Sequence, residues 1–266
     1  MSPQRLGQNF LADAAWQQRI LRALRFTPDQ TWVEIGAGHG EITRELARAV
    51  RRVAAIELDA RLVKALERLA GELPALEVFS GDVMKIDLAA AAAAERFRVC
   101  GNLPYYITSP ILHRLFEWAE HIESIHIVIQ LEVAARLTAR PGRREYGYLS
   151  VATQFFSAPE IIFNIPPGAF RPRPKVASAL VELRMGDAAT EQRRLLDVGH
   201  TRAFLKFVQG CFAQKRKTLL NNLRAAGFAG SVESLLRSCG IPPKARAEEL
   251  SVAEFADLYR AVRDQA

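Results

Sequence analysis

The stretch "VEIGAGHGEIT", residues 33–43, sets the architecture. An apolar run ends at Gly36, and Gly38 and Gly40 follow within four residues. "EITRELARAV" (41–50) then carries apolar side chains three and four apart, the spacing of one helix face. The pattern reads as strand, tight turn, helix. Glycine lets such a turn bring backbone against a ligand, and the helix start adds free N–H groups. The alternative is a tight turn with no ligand at all, so the neighbouring strand ends decide between them.

On either side of the turn, the same alternation repeats. "TWVEIG" (31–36), "RVAAIEL" (52–58), "ALEVFSGD" (75–82), "FRVCGN" (97–102) and "IHIVIQ" (125–130) read as strands. "ARLVKALERLAGEL" (60–73) and "PILHRLFEWAE" (110–120) read as helices between them. Strand–helix alternation predicts a parallel sheet covered on both faces. "EIIFNIPP" (160–167) and "ASALVELRM" (177–185) have no helix between them and are expected to pair antiparallel at one edge. "YGYLSVATQFF" (146–156) is ambiguous by period, and the six alanines 89–94 read as a surface helix or spacer.

"RMGDAATEQRR" (184–194) marks an expected division into a first domain, 1–185, and a second, 186–266. Beyond it the pattern is helical. Phe204, Phe207, Val208, Cys211 and Phe212 form one stripe, and Ser251 with Glu254 has the form of a capping box.

The chain has 266 residues with 36 Lys+Arg against 29 Asp+Glu, a net charge of +7 and a pI of 9.6. That balance favours an acidic partner, nucleic acid first. Cys100, Cys211 and Cys239 are too scattered for a zinc site or disulfide framework, and the five histidines lack ligand spacing. No metal is expected. "MSPQRLGQNF" has no apolar leader, and no run of ~20 apolar residues is present to span a bilayer. The expectation is a reduced, cytoplasmic protein without a membrane partner.

Two acids sharpen the glycine turn. Glu57 ends the second strand, 21 residues after Gly36, where a carboxylate takes bonds from both ribose hydroxyls. Asp82 ends the third, where it can accept from an exocyclic adenine amine. Taken alone, Glu57 could equally be a solvated strand-end acid; Asp82 in register argues for a nucleoside. The dinucleotide fingerprint would place its third glycine one residue later than Gly40. The spacing here favours the S-adenosylmethionine loop, which has no pyrophosphate to neutralise, over a nicotinamide cofactor.

"GNLPYYITSP" (101–110) then supplies an amide, two prolines and two tyrosines at the end of the fourth strand. Beside a methyl donor this composition has a chemical sense. The N6 amine of adenine is a poor nucleophile because its lone pair is delocalised into the ring. The Asn102 oxygen and the Leu103 carbonyl, held by Pro104, would bond its two hydrogens and draw the nitrogen toward tetrahedral geometry. Tyr105 would stack on the base, worth roughly 1–3 kcal/mol. No strong base is required, since catalysis is mostly alignment and electrostatics. The competing reading is an ordinary turn.

These stretches, with "GQNFL" (7–11), "YGYLSV" (146–151), "FRPRPKVASALVEL" (170–183) and "FAQKRKTLLNNL" (212–223), resemble the ribosomal RNA adenine N6-dimethyltransferases from about Arg5 to Tyr259. The resemblance implies a seven-stranded, Rossmann-like class I methyltransferase domain and a small all-helical C-terminal domain that assists rRNA binding. It implies S-adenosylmethionine as cofactor, covered by the "QNFL" segment through Asn9 and Leu11. The implied substrate is two adjacent adenosines in the loop of the 3′-terminal stem of 16S rRNA, within the assembling small ribosomal subunit. Each takes two methyl groups. The protein is expected to act as a monomer. Phe170 is implied to cover the base face opposite Tyr105; its alternative is a core phenylalanine in a proline-rich connector. Three positions depart from the family pattern. Only Arg5 precedes "GQNFL", Tyr106 stands where Asn is also common, and Leu131 where the family usually has "Q-K-E".

Arg171, Arg173 and Lys175 flank Phe170. From Thr201 to Arg224 there are six basic residues, Lys206, Lys215, Arg216 and Lys217 among them, and no acidic one. These are expected to bind RNA backbone, with a solvated helix face as the alternative. Two other functions stay open at this point. One is an antibiotic-resistance methyltransferase of large-subunit rRNA; the other is a noncatalytic assembly factor on the same fold.

Overall fold

The computed structural model describes residues 9–186, 201–228 and 232–264. Arg5, the "GQ" of "GQNFL" and most of the 184–194 stretch lie outside them. The sheet runs through β2 (Thr31–Ile35), β3 (Arg52–Glu57), β4 (Leu76–Ser80), β5 (Phe97–Asn102), β6 (Ile122–Gln130), β7 (Ala158–Ile165) and β9 (Ser178–Arg184), in the order β4-β3-β2-β5-β6-β9-β7. Strands β2 to β6 are parallel, and β9 runs antiparallel to β6. The expected pair β7 and β9 are neighbours at one edge, with β9 on the inner side. A separate two-stranded ribbon joins β1 (Phe10–Leu11) to β8 (Phe170–Arg171).

All five residues of β2 are buried, which suits a strand covered on both faces. The strand order reverses beside it. From β2 the chain steps outward to β3 and β4, then returns to β5 on the other side. Such a switch point opens a crevice at the carboxyl ends of the strands, where α/β proteins place ligands. Gly101 lets β2 and β5 lie close here: a Cβ on it would stand 2.4 Å from the Ile35 carbonyl oxygen.

The helices that follow β2 and β3 are α2 (Glu41–Ala49) and α3 (Ala60–Ala70), as the apolar spacing indicates. Two helices, α1 (Ala14–Leu24) and α6 (Leu131–Thr138), have no counterpart among the expected elements. Asp13 caps α1 by accepting from the Ala15 and Trp16 N–H groups. Of its two expected readings the alanine tract takes the helix, α4 (Leu88–Ala92), capped by Asp87; Ala90 is exposed, but Leu88, Ala91 and Ala92 are buried. Methyl side chains let a short helix lie close on its neighbours, so alanine here serves packing. α5 (Thr108–Phe116) and α6 (Leu131–Thr138) follow β5 and β6.

The chain divides into two compact units. One takes in Glu160–Met185 and the chain up to Ala134; the other takes in Ala135–Pro159 and the chain from Gly186 onward. The ambiguous 146–156 stretch is helix α7 (Tyr148–Phe156) and belongs to the second unit. There Phe155 meets Phe204 of α8 (Thr201–Cys211), with ring centroids 4.8 Å apart. That packing places 135–159 with the helices, in contrast to the single division expected after 185. The second unit also holds α9 (Leu219–Ala225), α10 (Val232–Ser238) and α11 (Val252–Arg263), the last with the Ser251–Glu254 capping box. Among the described residues, no helix is long and apolar enough to cross a membrane.

Candidate active site

The glycine turn closes β2 onto α2 with Gly36, Gly38 and Gly40 all at positive φ, 71°, 60° and 84°. L side chains rarely adopt this region, so the turn depends on glycine. The Gly36 N–H bonds the Ile56 carbonyl at 2.8 Å, fixing the turn to β3.

Glu57, at the end of β3, is only 2% exposed. Its Oε2 accepts from the Gly38 N–H, and its Oε1 from the Leu58 and Asp59 N–H groups, each at 2.9 Å. The carboxylate therefore holds the glycine turn and the next turn together. Asp82 follows β4 and accepts from the Met84 N–H at 2.9 Å. Both acids line a cavity of about 480 Å³ whose walls are otherwise mostly apolar, Leu58, Val83, Ile107 and Ile111 among them. An apolar slot with one acid at each strand end fits the nucleoside of S-adenosylmethionine.

A second cavity, of about 390 Å³, is lined by Asn9, Phe10, Asn102, Leu103, Pro104 and Tyr105 together with Gly36 and Glu57. The two cavities share Gly36, Glu57 and Pro104. The Pro104 carbonyl is occupied by the Ile107 N–H at 3.2 Å and the Thr108 hydroxyl at 3.1 Å. Leu103 is buried, and its N–H bonds the Val128 carbonyl at 3.1 Å, extending the sheet one residue past β5. Tyr105 and Tyr106 open a short 3-10 turn, Tyr105–Ile107, that leads into α5. They diverge: Tyr105 lines the second cavity, while Tyr106, 60% exposed, lines the first. The Tyr105 hydroxyl lies 2.6 Å from Ser178 Oγ on β9. Burial pushes its phenol above the ordinary range, so it stays protonated.

β1 forms a strap over the glycine turn. The Phe10 ring lies 4.9 Å from that of His39, and Leu11 pairs with Phe170. The Asn9 carbonyl accepts from Asn102 Nδ2 at 2.7 Å. Phe170 departs from its expected role. It is 0% exposed and packs in the core with Ile165, Ala169 and Leu180. A ring sealed in this way offers no face to a base, so the core reading replaces the stacking one. Arg171, Arg173 and Lys175 are exposed beyond it.

One residue of the site escaped the sequence reading. Glu34 is buried in β2, and its Oε2 has no hydrogen-bond partner among the described residues. It lines a third cavity, about 590 Å³, beside the glycine turn with Cys100, Asn102 and His126. Burial, with repulsion from Glu41 and Glu57, raises its carboxyl to about 8. Burial likewise lowers His126 to about 4. The available signal was an acid inside an otherwise apolar strand.

In the second unit, Lys206 is exposed on α8, while Lys215, Arg216 and Lys217 lie in the turn between α8 and α9 rather than on a helix. Buried Asn222 braces that turn, accepting from the Gln214 N–H at 3.0 Å and donating to the Gln214 carbonyl at 3.2 Å.

A sheet of this order, with a glycine turn, two strand-end acids and an Asn-Leu-Pro-Tyr loop at its switch point, defines a class I methyltransferase dependent on S-adenosylmethionine. The ribosomal RNA adenine dimethylase model matches residues 2–264, and the chain belongs to that family. The ribosomal RNA small subunit methyltransferase A of Acidobacterium capsulatum is 42% identical over 263 residues, 98% of this chain and 91% of its own. That of Methylococcus capsulatus is 41% identical over 256 residues, 96% of each chain. The crystal structure of the 23S rRNA methyltransferase ErmE is similar with a TM-score of 0.72 at 29% identity, covering 96% of this chain and all of that one. A dimethyladenosine transferase from Plasmodium falciparum is similar in fold, with a TM-score of 0.80 at 21% identity, covering 96% and 98%.

Proposed function

We propose that this chain transfers methyl groups from S-adenosylmethionine to the N6 amines of two adjacent adenosines in the loop of the 3′-terminal stem of 16S rRNA, within the assembling small subunit. The observation that carries the reading is the pair of cavities meeting at Gly36, Glu57 and Pro104. One presents the acids suited to a nucleoside donor; the other presents the amide, carbonyl and ring suited to an adenine acceptor. A shared wall is what group transfer between two bound molecules requires.

In this reading Glu57 takes the ribose hydroxyls and Asp82 the adenine amine, while Gly36 and Gly38 keep the backbone clear of the amino-acid part. Asn9 and Leu11, in the strap, cover it. The cofactor supplies a methyl group already activated on a sulfonium. The chain's part is to hold the amine. With the Pro104 carbonyl already bonded twice, the acceptors left for the N6 hydrogens are Asn102 Oδ1 and the Leu103 carbonyl. Together they localise the nitrogen lone pair. Tyr105, steadied by Ser178, gives the base a face to stack on. The substrate base must leave its own stack, which costs less in a loop.

Arg171, Arg173, Lys175, Lys206 and the Lys215–Lys217 turn would hold rRNA phosphates. The small-subunit assignment is supported by relatives of that name at 41–42% identity, against 29% for the 23S enzyme ErmE. Mapping labelled methyl groups on undermodified small subunits tests it. Label on two neighbouring adenosines near the 16S 3′ end is expected; label only on 23S rRNA would overturn the assignment.

A further inference from the structure

We infer that the β1 strap sets the orientation of the Asn102 amide, so that closing the strap also presents the acceptor for the target amine. The inference rests on the role of Asn102 proposed above. A carboxamide has one donating side and one accepting side. Its partner here is the Asn9 backbone carbonyl, which only accepts, so the 2.7 Å bond admits Nδ2 and excludes Oδ1. Oδ1 is then left on the far side of the amide. Rotated half a turn, the group would set two oxygens against each other and offer N–H donors to an amine that itself needs acceptors. One hydrogen bond thus separates the competent from the incompetent rotamer.

Other interactions also hold the strap closed, among them a bond from Gln17 Nε2 to the Leu11 carbonyl at 2.7 Å. The Phe10 ring meets His39, and it lies so close to the glycine turn that a Cβ on Gly38 would stand 3.4 Å from it. β1 pairs with β8 at two positions only. The Ala12 and Asp13 N–H groups bond the Ala169 carbonyl at 2.9 and 3.2 Å. A two-residue ribbon is a small cooperative unit that opens at low cost. When it opens, Asn102 loses the carbonyl that fixes its rotamer. Asn9 is therefore a positioning residue acting through its backbone, and turnover is coupled to the closed strap.

Two measurements on the full chain test this. Asn102→Asp keeps an oxygen acceptor but has no amide donor for Asn9. Hydrogen exchange of the amides at 10–13, with S-adenosylhomocysteine bound, is expected to be about tenfold faster in this variant than in wild type, the factor of one hydrogen bond. Unchanged exchange in a variant that still binds the ligand overturns the inference. The second measurement is single-turnover methyl transfer at saturating cofactor and RNA. Phe10→Ala, which loosens the strap, is expected to lose about tenfold in rate. Combined with Asn102→Asp it should lose no more than Asn102→Asp alone, because both act through one bond. Additive losses would overturn it. Failure of the wild type to methylate rRNA would instead sink the reading of function, while the exchange experiment still reports on the Asn102–Asn9 bond.

Discussion

The hydroxyl of Tyr105 lies 2.6 Å from Ser178 Oγ, tying the aromatic ring of the turn beyond β5 to the first residue of β9. Ser178 is fully buried, so its hydroxyl is a fixed anchor. The ring is held in the cavity wall by its polar end while its face stays available. Tyr105→Ala is expected to lose most of the methyl-transfer rate. Tyr105→Phe and Ser178→Ala keep the ring and lose only its anchor; each should fall by about tenfold or less, the worth of one hydrogen bond. Single-turnover rates on folded protein check this. A Tyr105→Phe variant as impaired as Tyr105→Ala would mean that the hydroxyl, not the face, does the chemistry.

Glu57→Ala is expected to weaken S-adenosylmethionine binding by about 1.5–3 kcal/mol, the range for a hydrogen bond to a charged group. The same change leaves the N–H groups of Gly38, Leu58 and Asp59 without their acceptor, so the variant should also unfold more readily. Calorimetry on the folded fraction separates the two effects. Unaltered affinity would remove Glu57 from the cofactor site.

Replacing Lys215, Arg216 and Lys217 together by Ala should weaken binding to small-subunit particles and flatten its salt dependence. Each phosphate left without its cation reduces the log–log slope by ~0.9 on duplex, less on single strands. Cofactor affinity should not change. A salt slope equal to that of the wild type would return the turn to plain solvent exposure.

Glu34 gives a pH-dependent stability. Its folded carboxyl titrates at about 8, raised from the usual carboxylate range by burial. Protonated Glu34 favours the fold, so its contribution is fully present below the unfolded pKa. It declines as pH rises, because the unfolded chain ionises first, and is lost once pH passes about 8. Glu34→Gln stays neutral throughout. Denaturant unfolding at pH 5 and pH 8.5 should therefore show the variant gaining on the wild type at the higher pH. Parallel losses in the two proteins would contradict the buried, neutral assignment.

What the sequence made legible was set by local backbone demands. Gly36 and Gly38 announce a turn at positive φ, Glu57 and Asp82 sit at strand ends that periodicity locates, and Asn102 opens a loop that its prolines mark. The rest depended on partners distant in the chain. Phe170 is sealed by its pairing with Leu11 and by the core around Leu180, neither of which a proline-rich connector signals. The alanines of α4 carry no periodicity, so their burial cannot be told from exposure until a surface to pack on exists. Glu34 looked like one acid among many because its isolation comes from the strands on either side of β2. Residues 135–159 joined the helical unit through ring packing such as Phe155 on Phe204, which no local pattern reports.

If Asn102 holds the target amine, Asn102→Ala should show it in a single turnover. Thermally verified folded protein, saturating 16S rRNA particles and saturating cofactor would be mixed, with cofactor affinity measured in parallel. An interaction made chiefly in the transition state lowers kcat and kcat/KM together, whereas a binding interaction raises KM. Most of the single-turnover rate should vanish while the folded variant still binds cofactor. A wild-type rate in that assay would contradict the mechanism and leave Asn-Leu-Pro-Tyr as an ordinary turn.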